Sequence, residues 1–470
     1  MLAASGVRWV RMDLKWSLTE RARGQYDFSV YDRLVATLQA SHLRAMFILC
    51  YANPLYDQNL SPVSDEARQA FANWAVAAVT HFRGRGFLWE IYNEPNAFWQ
   101  PRPNTEAYVK LALATSEALA EATPGEKVIG PASAAVDPPF LEAVFRAGLL
   151  NYWSAVTIHP YRPSDPETAA DDLRDVRLLI RKYAAPGKTI PVMAGEWGYS
   201  LSSAGMDEHK QAAMLAREWL FDLANDVPLT IWYDWHRSSD ASDRDTSFDL
   251  VGPPEGSPSG GQNPPFRPRP AYVAARTLTQ ALGSYQFNKR LALESPADYV
   301  LLFTKDDSVR LAVWTTGSPH TAVIPASAGD FNVTGLAGDQ LPPVRADRHG
   351  LRLTLTGDPQ YLAPEQPNEL LSVAAAWQRL PLEIEVRAPG VLPLHFSLRN
   401  PLPKDERFEL RAVGAPFETE GPVKARPGAD ADLIIRVAAT ERSTTPMRLA
   451  IGLEAAKRGV VAQETAIVAS

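Results

Sequence analysis

Over its first 284 residues the chain alternates between runs that fit a buried strand and runs that fit an amphipathic helix. This alternation constrains the fold more than any other feature. Strand patterns fall at 7–14, 44–51, 87–92, 127–131, 155–159, 191–196 and 229–235. Helical patterns lie between and after them, at 27–41, 64–82, 105–122, 138–150, 166–184, 207–225 and 270–282. The 64–82 run sets Phe71, Trp74, Ala75, Ala78 and Phe82 at the spacing of one helix face. The 270–282 run opens on proline, which suits a first helical turn. Strand–helix units in series predict a parallel sheet with right-handed crossovers. The nearest standard architecture is a (β/α)8 TIM barrel of about 250 residues. Seven strand patterns leave that count one short. Met1 to Gly6 reads as the last turn of a helix stopped by glycine, so the first barrel strand is the one expected to be missing. A doubly wound open sheet is the alternative. No glycine-rich phosphate loop follows the first strand pattern, which counts against a nucleotide-binding version.

After Gly283 the pattern changes to short alternating runs separated by turn residues such as Asp306-Asp307 and Gly357-Asp358-Pro359. That is an all-β reading. It predicts a barrel domain over 1–284, a β-sandwich over 285–366 and an immunoglobulin-like sandwich over 367–470, with 364–368 as a linker. Composition narrows the function class. Of 470 residues, 46% are hydrophobic, enough for several cores, and the net charge of −7 carries no basic block, which argues against a nucleic-acid partner. No stretch approaches the roughly 20 apolar residues of a membrane span. The single cysteine, Cys50, excludes an intrachain disulfide and a cysteine-based zinc site.

In a βα barrel the chemistry sits where the strands end. Read in order, those ends carry Arg11 and Asp13, Tyr51 and Asn53, Asn93 and Glu94, His159 and Tyr161, Glu196, and Trp235. Two carboxylates at one rim are the equipment for breaking a glycosidic bond. A retaining enzyme needs them about 5–5.5 Å apart; an inverting one, which stays open here, needs about 6.5–9.5 Å. Asn93 is placed to donate to a sugar 2-hydroxyl, Arg11 to hold an ionised nucleophile, and Trp232 or Trp235 to floor a sugar face. Trp99, just past Glu94, fits either core packing or a sugar platform. Trp9, Trp16, Trp74, Trp153 and Trp219 read as packing. His42 and His81 fall at helix C-termini, where a dipole role suffices. The Ser239 to Asp245 run, with Asp249 beyond it, has acidic residues but not the twelve-residue calcium-loop pattern, and reads as a solvated loop. No metal or other cofactor is required.

Trp-Glu-Ile-Tyr-Asn-Glu-Pro-Asn at 89–96, Ile-His-Pro-Tyr at 158–161 and Gly-Glu-Trp-Gly at 195–198 together resemble the clan A glycoside hydrolases. Within that clan they are most similar to family 39, including its β-xylosidase and exopolysaccharide-hydrolase-like members. Arg-Met-Asp-Leu-Lys-Trp-Ser, Tyr-Ala-Asn-Pro-Leu-Tyr-Asp and Ile-Trp-Tyr-Asp-Trp add to the likeness, which covers residues 1 to about 284. The resemblance implies a TIM barrel, a carbohydrate substrate and double displacement. It implies Glu94 as acid/base and Glu196 as nucleophile, supported by Arg11, Asn93, His159, Tyr161 and Trp235. The clan often has a histidine ending its third strand, where this chain offers Tyr51 or Asn53. Polymeric substrates imply secretion or a periplasmic site, with the cytoplasm still open. The second reading is a catalytically inactive carbohydrate-binding protein. Oligomeric state, sugar identity and exo or endo action are not encoded in any motif found.

Overall fold

A computed structural model describes residues 1–236, 247–252, 266–386, 390–413, 417–439 and 447–469. The Ser239 to Asp245 run therefore lies outside the described residues. The chain forms two compact units, Met1–Tyr272 and Val273–Ser470.

The first unit is built on seven parallel strands hydrogen-bonded in chain order: β1 (Trp9–Lys15), β2 (Arg44–Cys50), β3 (Leu88–Ile91), β4 (Lys127–Ala134), β5 (Ala155–His159), β6 (Val192–Trp197) and β7 (Thr230–Trp232). The first and last strands approach each other, so the sheet curls into a near-closed barrel. Such strands are covered on both sides and should be apolar throughout. β2 is buried from Ala45 to Cys50, and β5 along its whole length. Helices return the chain between strands: α1 (Ser29–Ala40), α2 (Asp65–Phe82), α3 (Thr105–Ala122), α4 (Pro138–Arg146), α5 (Ala170–Tyr183) and α6 (Glu208–Ala224); α7 (Pro270–Leu282) follows β7. Side-chain caps fix four of the starts. Ser64, Asn104, Asp137 and Asp207 each accept a backbone N–H from the first turn, satisfying donors the helix itself cannot. At the N-terminus a short 3-10 helix, Ala3–Ser5, stops at Gly6 in the left-handed conformation.

Inside the barrel the pleat carries every second residue inward. The lowest interior layer is apolar. Met46, Leu88, Ile129 and Ala155 pack there with Trp9, Met193, Leu229 and Ile231. Two residues further along, three strands turn polar inside, with Arg11 on β1, Glu90 on β3 and Thr157 on β5, while Gly195 on β6 leaves space beside them. An apolar floor thus seals the barrel beneath a charged layer.

Among its described residues the second unit is antiparallel except for one parallel pair, Glu383–Glu385 with Gly459–Ala469. It holds an eight-stranded sheet within 286–364 and five- and three-stranded sheets within 383–469. One hydrophobic core runs through it from Leu291 to Val468. The segment 364–368 is not a loose linker. Asn368 caps the helix Glu369–Ala376, and its amide bonds both the N–H and the carbonyl of Ser327. At the buried centre of this unit the Lys289 ammonium meets Glu464 at 3.1 Å and donates to the Trp377 carbonyl.

Candidate active site

Glu94 sits one residue before a four-residue helix, Pro95–Phe98, and its backbone is left-handed, at φ 45° and ψ 52°. A non-glycine residue holds that conformation only when its surroundings insist on it. Here they do. The Glu94 N–H donates to the Ala132 carbonyl at 3.0 Å, and the Glu94 carbonyl accepts from Ala97 and Phe98. Asn96 locks the turn to the end of β4: its Oδ1 accepts from the Ala134 N–H and its Nδ2 donates to the Ala134 carbonyl. The turn read from Asn-Glu-Pro-Asn is real, and its second asparagine is a structural clamp.

Glu196 follows Gly195 on β6, with its side chain 18% exposed. The step into Gly198 requires glycine, because a Cβ there would meet the Tyr233 carbonyl oxygen at 2.4 Å. Arg11, almost fully buried, joins the pieces. Its Nη1 donates to Glu196 Oε2 at 2.7 Å, its Nε to Glu90 Oε2 at 2.7 Å, and its Nη2 to Asn93 Oδ1 at 2.5 Å. With Oδ1 so engaged, the Asn93 amide is oriented to leave its NH2 as the donor. The Tyr161 hydroxyl donates to Glu196 Oε1 at 2.9 Å, and His159 Nδ1 lies 2.7 Å from Glu94 Oε1. One ligand atom from each of Glu94, His159 and Glu196 lies within 4.8 Å of the others. That closeness could suit a cation. However, both Glu196 oxygens already hold donors, and the Arg11 guanidinium repels a second positive charge.

Burial sets the protonation of this cluster. It raises the Glu94 carboxyl above its ordinary range, with Arg11 pulling weakly the other way. It lowers His159 to about 4, helped by Arg11, so the imidazole is neutral at ordinary pH. Burial also pushes the Tyr161 hydroxyl well up, and the neighbouring Glu196 adds to it. On Arg11 burial works downward, but Glu90 and Glu196 more than reverse it, so the guanidinium stays charged.

Arg11, Asn93, Glu94, His159, Tyr161 and Glu196 are therefore brought together. Of the four other expected ligands, three are buried away from a ligand. Trp99 is 1% exposed and wedged between the rings of Tyr92 and Tyr108, so it is core rather than a sugar platform. Asn53 is equally buried and turned backward: its Nδ2 donates to the Glu20 carbonyl and its Oδ1 accepts from Leu55 N–H, leaving nothing for a ligand. Trp232 is buried, and its indole N–H is taken by the Phe248 carbonyl. Trp235 is half-buried, edge-on to Phe266 and Tyr272. Sequence reasoning missed Glu90. Its signal was present: an acid in mid-strand, alternating with the inward Leu88.

Comparison with solved structures places this arrangement in a known fold. A family 39 glycoside hydrolase from the gut symbiont Bacteroides cellulosilyticus superposes with a TM-score of 0.66 at 23% identity, over 77% of this chain and 76% of that one. A family 39 β-xylosidase from Caulobacter crescentus gives 0.57 at 19% identity, over 78% and 90%. A family 30 endoxylanase from Clostridium papyrosolvens gives 0.54 at 10% identity, over 77% and 90%. No family model and no curated protein matches the sequence. The chain shares the fold of these enzymes over about three quarters of its length.

Proposed function

We propose that this protein is a retaining glycoside hydrolase acting on an oligosaccharide or polysaccharide. The observation that carries the reading is the approach of Glu94 and Glu196, each offering a carboxylate oxygen within 4.8 Å of the other. This suits direct attack by one carboxylate and leaves little space for the water an inverting enzyme must hold between them. Glu196, ion-paired to Arg11 and bonded by Tyr161, attacks the anomeric carbon. Glu94, whose carboxyl burial raises above its ordinary range, delivers a proton to the departing glycosidic oxygen. In the second step the Glu94 carboxylate takes a proton from water, which displaces Glu196 and releases the sugar with its configuration retained. Asn93 donates to the 2-hydroxyl of the bound sugar. The fold shared with family 39 and family 30 glycosidases supports the same class.

A barrel that only binds sugar has no need of a proton-holding acid beside an ion-paired nucleophile, so the site favours turnover over the binding-only reading. Among the described residues no helix is long and apolar enough to cross a membrane. A polymeric substrate fits a secreted or periplasmic enzyme. The test is hydrolysis of an aryl-glycoside panel followed by proton NMR of the first-formed sugar. Retention in the wild type, with turnover lost in Glu196→Gln, is expected. Unchanged turnover in Glu196→Gln, or an inverted first product, overturns the mechanism.

A further inference from the structure

Two polar atoms in the charged layer are buried and have no hydrogen-bond partner among the described residues: Glu90 Oε1 and His159 Nε2. They face the same spot. A Cβ built on Gly195 would lie 3.2 Å from Glu90 Oε1 and 3.3 Å from His159 Nε2. Glycine at 195 is what keeps the space between them clear of a side chain. The other end of each group is already committed, Glu90 Oε2 to Arg11 and His159 Nδ1 to Glu94.

From this geometry, and resting on the glycosidase reading above, we infer that Glu90 is a positioning residue that selects the tautomer of His159 and thereby keeps the proton on Glu94. A carboxylate paired to a guanidinium only accepts hydrogen bonds. Sharing the space beside Gly195 with His159 Nε2, its negative charge favours the imidazole that carries its proton on that nitrogen. Which nitrogen of a neutral imidazole is protonated follows from what the other nitrogen meets. With its hydrogen on Nε2, the ring presents a bare Nδ1 to Glu94, and a bare nitrogen 2.7 Å away can only accept. The partner that satisfies it is the protonated carboxyl, the form required to donate to a leaving group. The low proton affinity of the buried ring fits this role, since a doubly protonated imidazolium would erase the choice. The charged groups around the ring are Arg11 from β1, Glu90 from β3, Glu94 from the turn after β3, and Glu196 from β6; the Tyr161 hydroxyl completes the set.

The imidazole nitrogens of 15N-histidine-labelled full-length protein give a readout independent of turnover, with His159→Gln assigning the resonances. The wild type should show the Nε2–H tautomer. Glu90→Gln, whose amide can offer N–H to Nε2, should shift the ring toward Nδ1–H. Its kcat/KM for a glycoside with a poor leaving group should fall about tenfold or more. A dinitrophenyl glycoside, whose departure needs no proton, should be affected far less, and the basic limb of the pH–rate profile should move to lower pH. Gly195→Ala, which intrudes between the two atoms without removing a charge, should move the tautomer the same way. The Nδ1–H tautomer in the wild type overturns the inference. So does a Glu90→Gln variant that slows both substrates equally with an unmoved basic limb, which would mean that Glu90 merely anchors Arg11. Absence of turnover by the wild type would sink the enzymatic reading and leave the tautomer result standing.

Discussion

Two buried cation–carboxylate ties, one in each unit, differ in what lies around them. In the β unit, Lys289 is buried against Glu464, the Trp377 carbonyl and the Trp377 ring. Burial disfavours both charges, lowering the Lys289 ammonium and raising the Glu464 carboxyl. In the barrel, Arg11 serves two carboxylates and an amide, yet Glu90 and His159 keep bare polar atoms beside Gly195. A single ion pair buried in an apolar core holds elements together. A cluster of several charged and polar groups, at the end of a barrel and above an apolar floor, is placed to act on something else.

The sharpest way to break the contrast is to remove each cation. Arg11→Met should lower kcat/KM by about 10²–10³, because Glu196, the proposed nucleophile, loses its charged donor. It should also cost about 3–5 kcal/mol of unfolding free energy, since Glu90 is left buried beside no cation. Kinetics and urea denaturation measure the two separately, and a loss of stability without a loss of rate would make Arg11 another Lys289. Lys289→Met should likewise cost about 3–5 kcal/mol while activity per folded molecule is unchanged; combining it with Glu464→Leu should recover most of that loss. Equal destabilisation in the single and double variants would refute a purely structural pair. Tyr161→Phe should reduce kcat roughly tenfold, as expected for losing one hydrogen bond to a charged acceptor, with little effect on thermal stability.

The smallest effect comes from buried acids with no direct cation contact. Glu218 and Asp222 are buried on α6, and Asp222 is pushed up to about 8, chiefly by burial. A folded-state value above the unfolded one binds the proton more tightly in the native chain. The stabilisation is thus present at low pH and is lost as pH rises from the ordinary carboxylate range through about 8. Asp222→Asn should therefore leave Tm unchanged near pH 4 and raise it by roughly 2–4 °C at pH 8.5. A uniform shift at both values would assign the effect to packing instead.

Most of the barrel was legible because its strands are short apolar runs between capped helices, and β5 and α7 coincide with the runs that announced them. Glu94 and Glu196 were legible because each ends such a run beside a turn former. What failed was the direction of side chains at the rim. Trp99 and Phe98 are adjacent in sequence, yet the first is sealed in the core and the second is 59% exposed. No local pattern distinguishes them, since the choice depends on Tyr92 and Tyr108 from separate elements. Asn53 failed for the same reason, captured by the Glu20 backbone across the loop. Glu90 was overlooked because an acid inside an apolar strand looks like an interruption until its inward register is known.

The Asn96 clamp bears on how the proposed glycosidase could be redesigned. Because it fastens the Glu94 turn to β4 and Trp99 seats the chain in the core, the exposed residues 101–103 begin beyond both anchors. Randomising or lengthening that stretch should alter which glycans are accepted without displacing the acid. It is a natural site for libraries that diversify specificity while keeping the chemical step constant.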